Sequence, residues 1–277
     1  MNPVLVSGLR MPEGPAFDKA GNLYVTEMGN GQISKITPDG ARTVLATPGG
    51  SPNGARIGPD GALWITNANR PNPGRIERID IKTGNVEHVF TDFKGTPFGS
   101  CNDLVFDPEG NCYFTDPHGG LKLEDPAGHV YFFTPDRLLS RVATGYAFPN
   151  GIAITQDGGT LLVAESRTFS IWAHAIEVPG QLGERRKFAQ LPDGHITDGL
   201  ALDIEGNVLA CGWHSGTIDV FDSTGKPIDK LEIEDQDVTN LTFGGPDFST
   251  LYVTEMTLGR IVTIPWKHRG MRLFPDR

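Results

Sequence analysis

The sequence is short of positive charge, of cysteine and of long apolar runs, and each shortage excludes something. Lys and Arg number 24 against 34 Asp and Glu, a net charge of −10. Such a chain repels phosphate backbones and anionic headgroups, so neither nucleic acid nor a membrane surface is an expected partner. No stretch approaches the roughly 18 apolar residues of a membrane span. The opening Met1-Asn2-Pro3-Val4-Leu5-Val6-Ser7 lacks the basic region and long apolar stretch of a secretory signal. Three cysteines, Cys101, Cys112 and Cys211, are an odd number without zinc-type spacing, and a reduced, cytoplasmic protein is expected. There is no phosphate-binding Walker loop, no H-E-x-x-H and no dinucleotide fingerprint. Gly212-Trp213-His214-Ser215-Gly216 is not a nucleophile elbow, because its serine is out of place.

What is abundant is turn chemistry. Gly 35 and Pro 21 are high for a helical protein and natural for many short strands joined by tight turns. The chain also repeats itself six times. The copies open at Glu13, Asn53, Asn102, Asn150, Asp198 and Asn240, with start-to-start spacings of 40, 49, 48, 48 and 42 residues. Each copy has a short apolar strand, a turn such as Pro59-Asp-Gly61 or Asp107-Pro-Glu-Gly110, and a β-branched, aromatic strand. Third strands alternate polar and apolar residues, as in Gln32 to Thr37, Arg75 to Asp80, Thr217 to Asp222 and Arg260 to Pro265. Outer strands are expected at Thr43 to Ala46, Val86 to Phe90 and Lys187 to Leu191.

Four strands per 40 to 49 residues is the period of a propeller blade. The expected fold is therefore all-β: a six-bladed β-propeller of four-stranded antiparallel blades around a central channel, with 1–277 as one domain. The last copy lacks a fourth strand, and residues 3–7 are expected to supply it and leave no exposed edge. The tail Lys267 to Arg277 competes for that place and otherwise reads as a solvated end or minor docking segment. The stretches near Asn67 to Gly74 and Pro117 to Gly128 read as loops over one face.

The six opening residues occupy equivalent places on the innermost strands, so two carboxylates and four amides should converge near the axis. Two carboxylates side by side repel unless a cation lies between them. Oxygen donors without His or Cys indicate a hard cation.

Glu13-Gly-Pro, Asn102-Asp103, Pro149-Asn150-Gly151 and Asp198-Gly199, at these spacings, resemble the senescence-marker-protein/gluconolactonase family of regucalcin-like proteins and bacterial lactonases. The resemblance covers nearly the whole chain. It implies a metal held by Glu13, Asn150 and Asp198, with Asn102 beside it contacting water or substrate and Asp198 as general base. It implies one divalent ion, calcium first, with Zn, Mg, Mn or Fe as alternatives. The animal members carry an arginine two positions before the substrate asparagine, where this chain has Ser100. They also carry an acidic residue in the loop that here reads Thr115-Asp116-Pro117-His118-Gly119-Gly120.

The expected activity is metal-dependent hydrolysis of a sugar lactone or related small lactone, by a monomer or weak homodimer. Asp198 and Asn102 are the catalytic residues. Asn102, Ser100, His118, His195 and Trp213 are the candidate substrate contacts, with His214 beside Trp213 in the pocket wall. Asp103 is expected to support the ligands, and Cys101 to point into the core by strand alternation. A phosphotriesterase of the diisopropyl-fluorophosphatase type and a non-catalytic calcium- or partner-binding propeller are the alternatives.

Overall fold

The computed structural model describes residues 2–118, 123 and 126–273. Strands dominate it, and six antiparallel sheets ring a central channel as a six-bladed β-propeller, with a two-stranded hairpin, Asp92–Phe93 and Thr96–Pro97, between blades 2 and 3. Blade 1 runs Pro12–Phe17, Leu23–Glu27, Gln32–Ile36 and Arg42–Ala46 from the axis outward. Blade 2 follows with Pro52–Ile57, Leu63–Asn67, Arg75–Ile79 and Val86–Phe90. Blade 3 begins with Leu104–Phe106, Cys112–Asp116 and Gly128–Phe133, blade 4 with Pro149–Ile154, Thr160–Glu165 and Ser170–Val178, and blade 5 with Ile196–Leu202, Val208–Trp213 and Thr217–Phe221. The outer strand of blade 4, Arg186–Gln190, lies within one residue of its expected place. The outer strands of blades 3 and 5, Leu139–Tyr146 and Pro227–Glu232, carried no clear pattern in the sequence.

Blade 6 takes Val238–Gly244, Thr250–Glu255 and Arg260–Pro265 from the end of the chain, and Val4–Ser7 from its beginning. Val4 pairs with Val262 and Ser7 with Arg260. The edge of Arg260–Pro265 is thereby covered, as a closed ring requires.

Apolar side chains fill the spaces between blades, and six clusters occupy the six interfaces. Tyr24 and Ile33 meet Ile57 and Ile65 between blades 1 and 2. Leu23 and Val25 meet Ile261 across the closing seam. Cys101 is buried with Phe98, Leu104 and Phe114 between blades 2 and 3. All three cysteines are free and buried. No helix among the described residues is long and apolar enough to cross a membrane.

The C-terminal segment corrects the sequence reading of a solvated end. Gly270 donates its N–H to Phe248 O, and Met271 donates to Leu202 O, the last residue of blade 5's inner strand. Met271 and Leu273 close the lower end of the channel. Apolar Met271 is buried there because the channel wall is apolar. Residues 274–277 of that tail, and part of the loop after blade 3's second strand, lie outside the described residues.

Candidate functional site

The ring is built by a repeated local device. In five blades the pairing of first and second strands slips at the opening residue of the copy, between Glu13 and Ala16, Pro52 and Ala55, Pro149 and Ile152, Thr197 and Leu200, and Val238 and Leu241. A bulge re-aims the side chain at that point. In blade 3 residues 101–103 are irregular before Leu104–Phe106 begins. Glycine follows the opening residue in four copies because the next blade leaves no space. A Cβ on Gly14 would strike Asn53 O, and one on Gly199 would strike the Asn240 amide.

Hydroxyls on the second strands then fix the ring from behind. Thr26 Oγ1 donates to Asn53 O at 2.6 Å and Thr115 Oγ1 to Asn150 O at 2.7 Å; Thr66 Oγ1 bonds Asn102 O in the same way. Ser166 Oγ takes this role in blade 4, donating to Thr197 O at 2.6 Å. Across the seam Thr239 Oγ1, on blade 6's inner strand, donates to Pro12 O at 3.0 Å and lies 2.8 Å from Thr254 Oγ1 of the second strand. The sequence reading passed over these hydroxyls, although Thr26, Thr66, Thr115 and Thr254 recur at one position of the repeat.

Glu13, Asn53, Asn102, Asn150, Asp198 and Asn240 are all buried. Glu13 Oε2 accepts Gly14 N–H at 2.8 Å and the Asn240 amide at 3.0 Å. Asn150 Nδ2 donates to Ser166 Oγ at 3.1 Å, and the same amide also serves the Asp198 carboxyl as a donor. Burial lifts the Glu13 carboxyl to about 7, with the charge of Asp103 adding to it and the Gly14 and Asn240 donors opposing. Asp198 is pushed well above the usual carboxylate range by burial, then by the charges of Glu13 and Asp103. Its shift has the sign expected of two buried acids facing one site without a cation.

Among the described residues, no three His, Cys, Asp or Glu side chains form a metal-holding group. The ring's six polar side chains are two carboxylates and four amides. One orphaned atom tests whether this set fits a cation. Asn102 Oδ1 is buried without a hydrogen-bond partner, an acceptor left for a ligand that the protein itself does not supply. Oxygen donors with two paired negative charges suit a hard divalent ion.

Over residues 11–257 the chain matches the family model described as SMP-30/Gluconolactonase/LRE-like region. The chain belongs to this family. Among its relatives is diisopropyl-fluorophosphatase of Loligo vulgaris, 30% identical over 95% of this chain and 91% of that protein. The gluconolactonase of Zymomonas mobilis is 28% identical over 87% of this chain and 75% of its own. Among solved structures, the gluconolactonase XC5397 of Xanthomonas campestris superposes with a TM-score of 0.82 at 28% identity, covering 95% of this chain and 88% of that one.

The remaining candidates of this family member lie on the face where the inner strands begin and the second strands end. Asp116, at the end of blade 3's second strand, accepts Gly99 N–H at 2.9 Å, Ser100 N–H at 2.8 Å and His118 N–H at 3.0 Å. One carboxylate thus ties the lead-in to Asn102 to the loop carrying His118. Ser100 is buried, and its Oγ accepts Arg70 Nη2 at 3.4 Å, a contact that the sequence of the Arg70 loop gives no sign of. His118 has a left-handed backbone, φ 48°, and its ring lies 5.5 Å from that of His129.

On blade 5, Gly212 replaces the acidic residue that ends most second strands. Asp219 of the third strand takes up His195 Nδ1 at 2.8 Å. Trp213 stacks on His214 at 3.7 Å, and its Nε1 is buried without a partner. His214 Nδ1 lies 2.7 Å from Asp237 Oδ1.

Proposed function

We propose that this protein is a lactone-hydrolysing enzyme that works with one divalent cation held at the axis by Glu13, Asn150 and Asp198. The observation that carries the reading is the pairing of two buried, repelling carboxylates with the partnerless oxygen of Asn102 on one ring. Relatives named gluconolactonase support the lactone. Calcium is the first candidate for the ion; zinc, magnesium, manganese and iron are the others. A bound cation would supply an electrophile for the lactone carbonyl oxygen and would lower the proton affinity of the carboxylates around it.

The protein's own groups do the rest. Asp198, once ionised, takes a proton from the attacking water and returns it to the departing ring oxygen, giving the hydroxy acid. Asn102 Oδ1, an acceptor, receives a hydrogen from that water or from a substrate hydroxyl. Ser100 and His118 on the blade 3 side, and His195 and Trp213 on the blade 5 side, are the proposed substrate contacts.

The 30% identity to the Loligo vulgaris enzyme favours a second reading, phosphotriester hydrolysis at the same ring. The test is acid release by chelator-stripped protein from sugar, γ- and δ-lactones and from a fluorophosphate, with Ca²⁺, Mg²⁺, Mn²⁺, Fe²⁺ and Zn²⁺ restored singly. Ion-dependent hydrolysis of a lactone class, lost in Asp198→Asn, is expected. Fluorophosphate turnover without lactone turnover would replace this reading with the second.

A further inference from the structure

Position three after each ring residue is apolar in five copies: Ala16, Val105, Ala153, Ala201 and Phe243. In blade 2 it is Arg56. That side chain enters the channel below the ring, in a cavity of about 60 Å³ whose other walls include Ile57, Val105, Ile152 and Leu200. Arg56 is only 6% exposed. Its Nη1 is used on its own neighbour, Ala55 O, at 2.7 Å, and its Nε has no partner. Burying a guanidinium this way is costly unless a charge answers it.

The answering charge is Asp103. It stands where four other copies have glycine, and its Oδ2 is 3.9 Å from Arg56 Nη2 and free of hydrogen bonds. Oδ1 accepts Leu104 N–H at 2.8 Å. The axis thus carries three carboxylates, Glu13, Asp103 and Asp198, and one guanidinium. A divalent ion neutralises two of the three negative charges, and Arg56 neutralises the third. Asp103 follows Asn102 directly in the chain, so without Arg56 its free oxygen is the natural additional donor to a cation.

We propose that Arg56 is a built-in counter-charge: it sets the ring's net charge at the two units a divalent ion neutralises, and it holds Asp103 out of the coordination set. This rests on the divalent-cation reading of the ring. Arg56 is therefore a positioning residue acting through Asp103. The same arrangement makes the ring discriminate against trivalent ions, which prefer a third carboxylate.

Calcium and terbium affinities of the chelator-stripped full chain, by calorimetry and terbium luminescence, test it. Arg56→Met is expected to raise the preference for Tb³⁺ over Ca²⁺ at least tenfold. Asp103→Asn, which leaves a bare guanidinium beside the ring, should weaken Ca²⁺ at least tenfold, about 1.4 kcal/mol. Arg56→Lys should stay close to the parent protein. The neutral pair Arg56→Met with Asp103→Asn should bind Ca²⁺ within threefold of it.

If a single variant fails to fold, the paired variant decides alone, because Asp103 acting as a ligand would cost that variant tenfold or more. Equal losses in both single variants, or additive losses in the pair, would overturn the proposal and leave the cation site standing. A parent chain that binds neither ion would remove the cation reading itself, and this proposal with it.

Discussion

The Asn240 amide donates to Glu13 Oε2 at 3.0 Å, joining residues 227 positions apart where the last blade meets the first. The contact belongs to both closure and site, since the same Glu13 faces Asp198 on the ring. Asn240→Ala should therefore lower stability by about 1–2 kcal/mol, as loss of a buried hydrogen bond to a carboxylate does. It should also weaken Ca²⁺ binding. Urea denaturation and calorimetry on one preparation check both; a stability loss with unchanged affinity would separate seam from site.

The pH dependence of stability has a definite sign. Glu13 is raised to about 7 and Asp198 well above the ordinary range, so the cation-free native chain keeps protons that the unfolded chain loses above about pH 4–4.5. The contribution of these two groups is fully present below that value and fades as pH rises toward 7 and beyond. The cation-free protein should melt higher at pH 5 than at pH 8 relative to Glu13→Gln, which has lost one of the titrations. Excess Ca²⁺ should remove the difference, since the ion needs both carboxylates ionised, and its binding should release protons. A parent-to-variant difference that grows with pH would contradict the assignment.

Thr115 reaches from blade 3 to the Asn150 carbonyl at 2.7 Å and is completely buried. Thr115→Val keeps the shape and removes the hydroxyl, leaving that carbonyl short of a donor. The expected cost is about 1–3 kcal/mol in urea denaturation. Ca²⁺ affinity should fall with it, because the bond fixes the backbone of a proposed ligand.

The repeat made much of this molecule legible in one dimension. Six copies of one strand-turn-strand pattern predict six blades, because a four-stranded sheet cannot bury both faces alone and must stack on its neighbours. The same register predicts Glu13, Asn102, Asn150 and Asp198 on one ring, since equivalent positions of a closed repeat meet at the axis. Val4–Ser7 was readable by count, as blade 6 was one strand short.

What the sequence left undecided were relationships that have no period. Arg56 broke an otherwise apolar register and Asp103 a glycine one, but only the closed ring brings these two departures to 3.9 Å from each other. Likewise Arg70 meets Ser100 from another blade, and Met271 returns under the channel from the end of the chain. Repeat position sets which way a side chain points, because strand geometry is local. Which charge it answers depends on burial and on the neighbour across a blade boundary, and those exist only once the ring has closed.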